Sequence, residues 1–242
     1  MIGIFDSGIG GVTVLKEIIK LLPNEKYIYY SDSINSPYGD KTEEELKIIT
    51  SSVISFLIEK GCELIVIACN TASTLSSYLR EKFDIPIVAI EPAYKMVYDY
   101  AYDKKALVMA TKRTLESDKF KRLYERYNNH NTILLPCVGL ADLIEEGSQE
   151  KIDNYLKENI SKYRGAECVV LGCTHYPLIK DSISRVLGDV EFFDGSLGVS
   201  KLVYKKLKDS ISLDKSNFDI EFIDSSNNQR KKERFFLVLN KE

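Results

Sequence analysis

The chain has 242 residues, of which 44% are hydrophobic and 29% are charged, and its formal net charge at pH 7 is -3. This length and hydrophobic content suffice for one large core or two smaller ones, so we expect one or two folded domains. Acidic and basic residues are interspersed, which argues against a nucleic-acid footprint and against a basic face for a membrane surface. We therefore expect the partners of this protein to be small molecules.

The first residues, MIGIFDSG, show no basic leader with an apolar segment and a cleavage site, and no apolar stretch is long enough to span a bilayer. These features predict a cytoplasmic protein. We expect the five cysteines to be free thiols of a reducing compartment: Cys62, Cys69, Cys137, Cys168 and Cys173. No metal site is expected, because Cys173 and His175 are the only close pair of cysteine and histidine, and His130 lies in a polar NNHN loop.

Short apolar runs alternate with longer segments of helical period, a pattern typical of a parallel sheet with crossover helices. IGIF, at residues 2–5, predicts the first strand, and DSGIGG predicts a turn into a helix that ends before Pro23. KYIYY predicts the second strand. Thr42 and Glu45 are spaced as a capping box for a helix that ends near Gly61. LIVIA and PIVAI predict the third and fourth strands.

The second half of the chain repeats this pattern. Cys69 and Cys173 lie 104 residues apart, and the same offset aligns GCELIVIAC with GAECVVLGC and IGIF with ALVM. It also sets the second strand against NTIL, places Ser7 over Thr111, and brings PIVAI within about a residue of VEFF. We interpret this as an internal duplication.

The C-terminal segment, from about Lys201 onward, has predicted elements of its own. It predicts a helix at VSKLVYKKL and strands at FDIEFI and FFLVL, which return to the first domain.

The predicted fold class is α/β, with two similar doubly wound parallel-sheet domains related by a pseudo-two-fold axis. Residues 1–93 with 201–242 form the first domain, and residues 94–200 form the second. In open α/β sheets ligands bind beyond the carboxyl ends of the strands. We therefore expect the active site between the domains, with one thiol presented by each.

Two opposed thiols suit the removal of a proton from one face of a carbon atom and the return of a proton to the other face. A free cysteine has a pKa of about 8.5, so thiol and thiolate coexist near neutrality and each sulfur serves as acid or base. Neutral donors at strand ends would stabilise the carbanion and its carboxylate; the candidates are Ser7, Asn70, Thr71, Thr111, Thr114 and Thr174. His175 is a candidate partner of Cys173, and Asp6 is a candidate partner of Cys69.

A second class of function stays open. A cysteine at the end of a buried strand often serves only as a small hydrophobe, and a ligand-binding protein with inert cysteines would show the same runs. DSGIGG matches neither the dinucleotide nor the phosphate-loop glycine spacing. Thiol reactivity with protection by ligand would separate an enzyme from a binding protein.

Six motifs resemble, in chain order, those of the cofactor-independent glutamate racemase family. They are FDSGIGG, PYG at 37–39, ACNTAS, IEP at 90–92, LIEEG at 143–147 and GCTHYP, and the resemblance covers about residues 1–200. It implies interconversion of L- and D-glutamate, with D-glutamate supplied for peptidoglycan and with no cofactor and no metal. An aspartate racemase or a broad-specificity racemase of the same fold is the nearest alternative, and a homodimer is possible.

The resemblance also implies roles for particular residues. Cys69 and Cys173 match the two catalytic cysteines of the family, and Asp6, Glu145 and His175 match its assisting groups. The implied substrate contacts are Asp6, Ser7, Tyr38, Gly39, Asn70, Thr71, Thr111, Thr114, Thr174 and His175. The chain departs from the family pattern at Ala110, where glycine is usual, and in the tail, which reads IDSSN where a Thr-Gly-Asp turn is usual.

Overall fold

The computed structural model describes residues 1–209, 211 and 218–241, and its contacts divide the chain into two compact units. Unit 1 comprises Met1–Ile90 and Ser196–Glu242, and unit 2 comprises Glu91–Gly195. The predicted boundary after residue 200 would cut a helix at Ser196–Leu207, which the structure assigns wholly to unit 1. The second boundary therefore lies before that helix.

In the described residues the strands are β1 Ile2–Asp6, β2 Lys26–Ser31, β3 Leu64–Ile67, β4 Ile87–Ala89, β5 Ala106–Ala110, β6 Thr132–Pro136, β7 Cys168–Gly172, β8 Glu191–Phe193 and β9 Asp219–Asp224. The α-helices of the same residues are α1 Val12–Leu21, α2 Glu43–Glu59, α3 Ser76–Lys82, α4 Tyr94–Tyr100, α5 Lys112–Glu116, α6 Asp118–Tyr127, α7 Leu140–Glu146, α8 Gln149–Ile160, α9 Lys180–Leu187, α10 Ser196–Leu207 and α11 Gln229–Asn240. None of these helices combines the length and hydropathy needed to cross a bilayer.

Each unit contains one parallel sheet, and the two sheets have corresponding strand orders. Unit 1 has the order β4-β3-β1-β2-β9 and unit 2 has the order β8-β7-β5-β6. β1 and β5 start 104 residues apart, as do β3 and β7 and also β4 and β8. The predicted fold class of two parallel-sheet α/β domains is confirmed, and the fifth strand of unit 1 is the addition made by the C-terminal segment.

Helices cover both faces of the unit 2 sheet. Successive side chains of β5 point to opposite faces, so neighbouring residues of this strand pack against different helices. Leu107 and Met109 pack in one buried cluster with residues of α7, α8 and α9. Ala106 and Val108 pack in another with residues of α4 and α6. The central strand is consequently buried along its whole length.

The predicted capping box at the start of α2 is confirmed. The Glu45 N–H donates to Thr42 Oγ1 at 3.3 Å, and the Thr42 N–H donates to Glu45 Oε2 at 2.8 Å. Two of the donors left over at the helix N-terminus are thereby satisfied by side chains.

The C-terminal segment returns to unit 1, as expected, but one of its elements differs. β9 pairs in parallel with β2, whereas FFLVL belongs to helix α11, so the strand prediction there is wrong. The Asn228 side chain caps this helix by accepting from the Arg230 N–H at 3.0 Å. Phe235 is buried 4.6 Å from the Tyr29 ring and Leu237 is 73% exposed. A strand would place these two residues on one face, whereas a helix separates them.

Candidate active site

Cys69 lies two residues beyond the end of β3 and is buried. Its Sγ accepts a hydrogen bond from the Ala72 N–H at 3.5 Å, at the first residue of the 3-10 helix Ala72–Leu75. Its Sγ also lies 3.8 Å from Ser7 Oγ. A backbone N–H directed at the sulfur favours the charged thiolate. The turn after β1 and the turn after β3 therefore meet at this sulfur.

Asp6 is the last residue of β1 and is completely buried. Its Oδ2 accepts from the Gly11 N–H at 2.9 Å, which closes the DSGIGG turn, and the Tyr29 hydroxyl donates to the Gly8 carbonyl at 2.9 Å. Asp6 therefore fixes the turn that carries Ser7.

Tyr38 is buried and leads into the short 3-10 helix Tyr38–Asp40, which also contains Gly39. Its hydroxyl donates to Asp32 Oδ2 at 2.6 Å, and the Asn35 amide donates to both oxygens of the same carboxylate at 3.1 and 3.0 Å. Burial raises the pKa of Tyr38 well above its usual range, and the neighbouring Asp32 adds to this rise. Tyr38 is thus held as a neutral donor.

Asp32 is a buried acid that lies outside the sequence motifs named above. It follows β2 directly, and an aspartate just beyond the carboxyl end of a strand in an open α/β sheet is a signal that could have identified it. Its side chain is held by Tyr38 and Asn35, and its N–H donates to the Asp6 carbonyl at 2.9 Å.

Asn70 and Thr71 are both buried after β3. The Asn70 carbonyl accepts from Ser73 Oγ at 2.8 Å, and the Thr71 carbonyl accepts from Thr74 Oγ1 at 2.7 Å. Asn70 Oδ1 is buried and has no hydrogen-bond partner among the residues that the structure describes. Since buried polar atoms nearly always have a partner, this oxygen is a candidate for ligand binding.

In unit 2, Glu145 of α7 lies beside His175, which follows β7 and is two residues beyond Cys173. His175 Nδ1 lies 3.6 Å from Cys173 Sγ, and His175 Nε2 lies 2.6 Å from Glu145 Oε1. Glu145 comes from α7, so a helix 30 residues earlier orients the imidazole. Burial lowers the pKa of His175, but the hydrogen bonds to Cys173 and Glu145 outweigh it and raise that pKa well above its usual value. The imidazolium form is favoured beside the sulfur.

Three of the four candidate threonines lie in unit 2. Thr111 follows β5, as Ser7 follows β1, and its Oγ1 accepts from the Thr114 N–H at 3.2 Å to cap α5. The hydroxyls of Thr111 and Thr114 are 2.8 Å apart. Thr174 is buried between Cys173 and His175.

The remaining cysteines are buried in less reactive surroundings. Burial raises the pKa of Cys62 to about 11, that of Cys168 to about 11 and that of Cys137 to about 12. These thiols stay protonated at neutral pH and are poor nucleophiles or bases. Within the described residues, no group of three or more histidine, cysteine and acidic side chains is arranged to hold a metal ion.

Two α/β units, each with a thiol in the turn after a corresponding strand, define a class of protein equipped for acid and base chemistry with cysteine. Residues 2–197 match the Asp/Glu/Hydantoin racemase family, and the chain belongs to that family.

The chain is similar over most of its length to glutamate racemases. It is 45% identical over 231 residues to a glutamate racemase of Clostridium perfringens, covering 90% of this chain and 89% of that protein. The crystal structure of the Francisella tularensis glutamate racemase in complex with D-glutamate is 31% identical, has a TM-score of 0.82, and is matched over 100% of this chain and 94% of that one. The Escherichia coli glutamate racemase in complex with L-glutamate and the activator UDP-MurNAc-ala is 29% identical, has a TM-score of 0.85, and is matched over 98% and 93%.

Proposed function

We propose that the protein interconverts L- and D-glutamate without a cofactor, using Cys69 and Cys173 as its two acid/base groups. The observation that carries the proposal is the corresponding position of the two cysteines. Cys69 lies two residues beyond the end of β3, Cys173 lies one residue beyond the end of β7, and each is followed by polar residues. The glutamate racemases to which the chain is similar support the choice of substrate. The product D-glutamate would serve peptidoglycan synthesis, and the five free thiols are consistent with a cytoplasmic reaction.

One thiolate removes the proton from Cα, and the thiol of the other cysteine donates a proton to the opposite face. The Cα–H bond breaks and its electron pair stays on carbon as a carbanion, which then forms the new C–H bond. The two sulfurs finish with exchanged protonation states, so the enzyme is ready for the reverse direction. By the family resemblance, Cys69 deprotonates D-glutamate and Cys173 deprotonates L-glutamate.

The surroundings of each sulfur support this division of work. The imidazolium of His175, oriented by Glu145, stabilises the Cys173 thiolate or returns a proton to it. The Ala72 N–H stabilises the Cys69 thiolate. We assign Asp6 to the Cys69 side, at the turn that also carries Ser7.

Apart from Asp6 and His175, the proposed substrate contacts are neutral groups, and none is an arginine or a lysine. The proposed contacts are the hydroxyls, amides and backbone at Ser7, Tyr38, Gly39, Asn70, Thr71, Thr111, Thr114 and Thr174, with Asp6 and His175. The buried Asn70 Oδ1 is an acceptor that the substrate ammonium group would satisfy.

The decisive experiment is a racemisation assay on L-glutamate and on L-aspartate with no added cofactor, run in deuterated water. We expect turnover of glutamate with deuterium at Cα of the product. Cys69→Ser and Cys173→Ser should each lose most of this activity, because a hydroxyl is a far weaker base at neutral pH.

The matched control is Cys62→Ala, which removes a buried thiol away from the proposed machinery. It should lower stability and leave turnover near that of the wild type. Preferential turnover of aspartate would assign the chain to the alternative substrate. Normal turnover by either serine variant would exclude the two-thiol mechanism.

A further inference from the structure

The last residue of β9 and the turn after it are hydrogen-bonded to the last residue of β2 and the loop after it. We call Asp224 and Ser225 the C-terminal clasp, and residues 31–35 the β2 loop. The two segments are about 190 residues apart in sequence, yet Ser31 and Asp224 are register partners in the sheet. The pairing of β9 with β2 therefore delivers the clasp to the β2 loop.

Within the described part of the C-terminal segment, hydrogen bonds from or to Asp224, Ser225 and Lys231 join it to this loop. Ser33 Oγ donates to Asp224 Oδ1. The Ile34 N–H donates to Ser225 Oγ at 2.9 Å, and the Ser225 N–H donates to the Ser31 carbonyl at 2.9 Å. Lys231 Nζ, on α11, also donates to Ser33 Oγ at 2.7 Å.

The Asp224 carboxylate is itself held in place by its own turn. Its Oδ2 accepts from the Ser226 N–H and the Asn228 N–H, both at 3.1 Å, and from the Ser226 hydroxyl. Burial raises the pKa of Asp224, but hydrogen bonds from Ser226, Ser33 and Asn228 outweigh it and lower that pKa below its usual value. The Asp224 carboxylate is thus an ionised acceptor at neutral pH.

The other side of the β2 loop reaches the candidate site. Asp32 lies between the two residues that the clasp holds, Ser31 and Ser33. Its carboxylate accepts from the Tyr38 hydroxyl at 2.6 Å, and its N–H donates to the Asp6 carbonyl. A displacement of the β2 loop would therefore move the acceptor that fixes Tyr38.

We propose that Asp224 and Ser225 are positioning residues for the reaction, acting through Ser33 and Ile34 to hold Asp32 and thereby Tyr38. This inference rests on the proposed function, in which Tyr38 contacts glutamate. The clasp touches no reacting atom. Its effect is on how well the site is formed before substrate arrives, and so on KM more than on kcat.

Two variants remove the bridging bonds from opposite sides, and a third provides a matched control. Ser33→Ala removes a hydroxyl of the loop, and Ser225→Ala removes the acceptor of the Ile34 N–H. Ser226→Ala removes a hydroxyl that is bonded to the same Asp224 carboxylate but to no residue of the β2 loop in this network, and the Ser226 and Asn228 N–H groups still hold Asp224 Oδ2. All three are substitutions of partly or fully exposed serines, so the fold should survive.

The quantities to measure are kcat and KM for L-glutamate, together with amide hydrogen exchange over residues 31–38. Since hydrogen bonds of this kind are worth about 1 kcal/mol or somewhat more, Ser33→Ala and Ser225→Ala should each raise KM about three- to tenfold with a smaller change in kcat. Both should speed exchange at the Asp32 amide. Ser226→Ala should change neither KM nor exchange at the Asp32 amide. Ser33→Thr, which keeps the hydroxyl, should retain the KM of the wild type.

The exchange measurement separates this inference from the proposed function. If the wild type fails to racemise glutamate, the proposed function is wrong, and exchange at residues 31–38 still decides whether the clasp holds the loop. If the wild type is active and Ser33→Ala behaves like Ser226→Ala in KM and in exchange, the clasp has no positioning role.

Discussion

His175 Nε2 lies 2.6 Å from Glu145 Oε1, while the other ring nitrogen faces Cys173 Sγ. The carboxylate thus favours a protonated imidazole beside the thiol, which is the arrangement that the proposed function requires of these residues. The neighbouring Glu146 provides a control acid for Glu145, because it lies on the same helix but has a different partner. Glu146 is exposed and pairs with Lys151 at 2.7 Å.

Glu145→Gln should slow turnover of L-glutamate and move the basic limb of its pH profile to lower pH. The folded-state pKa of His175 is raised, partly by the charge of Glu145. Removing that charge lowers this pKa, so the imidazolium is lost earlier as pH rises. A charge-assisted hydrogen bond is worth about 1.5–3 kcal/mol, which corresponds to a loss of about tenfold or more in kcat at neutral pH. Steady-state kinetics across pH would measure both effects, and an unchanged profile would contradict the assignment.

Glu146→Gln is the control for that prediction. Its ion pair with Lys151 is solvent-exposed, and such pairs contribute about 0–1 kcal/mol to stability. We expect its pH profile and kcat to match those of the wild type. A similar loss in both variants would indicate a general charge effect of α7.

His175→Asn and Asp6→Asn should bias kcat in opposite directions. His175 faces Cys173, so its loss should lower kcat for L-glutamate more than for D-glutamate, by roughly a hundredfold or more where proton transfer is limiting. Asp6→Asn should show the reverse bias. Equilibrium fixes the ratio of the two kcat/KM values, so compensating changes must occur in KM. Initial rates in both directions test this, and equal losses in kcat would leave both residues as substrate-positioning groups.

Activity should survive treatment with a chelator and should not increase with pyridoxal phosphate. The reason is that the proposed chemistry uses only the side chains and backbone groups of the protein itself. The measurement is the racemisation rate of colourless purified protein before and after dialysis against a chelator. Restoration of activity only by a metal ion or by pyridoxal phosphate would overturn the prediction.

Gly11→Ala should destabilise unit 1 and impair catalysis. A Cβ at Gly11 would lie 2.7 Å from the Tyr29 hydroxyl and 2.9 Å from the Cβ atoms of Ala68 and Asp6. The two Cβ atoms are fixed by their backbone, so the turn that carries Ser7 has to shift, at a cost of about 1–3 kcal/mol in the free energy of unfolding.

Gly198→Ala is the matched glycine variant for that experiment. A Cβ there would have no neighbour within 4 Å, and the residue lies in α10. We expect a gain of roughly 0.5–1 kcal/mol, because alanine is the better helix former. Thermal or urea unfolding of the two variants would check both signs, and equal effects would contradict the close-approach argument.

Local patterns in the sequence predicted the repeated part of the fold. Apolar runs of strand length and amphipathic helical segments recur at an offset of 104 residues, and the strands form at those places because each needs only its own periodicity and a turn on either side. Within each of the two thiol turns, the candidate residues are neighbours in the sequence. Cys173 and His175, or Cys69 and Asn70, are therefore recognisable as groups from the amino-acid order alone, and the family resemblance added Glu145.

Tertiary packing decided what depends on partners distant in sequence. FFLVL has the composition of a strand, but Phe235 becomes buried against Tyr29 only when the segment is a helix lying on unit 1. Asp32 became a candidate through its contact with Tyr38, and Asp224 through a hydrogen bond to Ser33 across 191 residues. Composition carries no record of such contacts, because a hydrogen bond or a buried ring face depends on which segments the sheet order brings side by side.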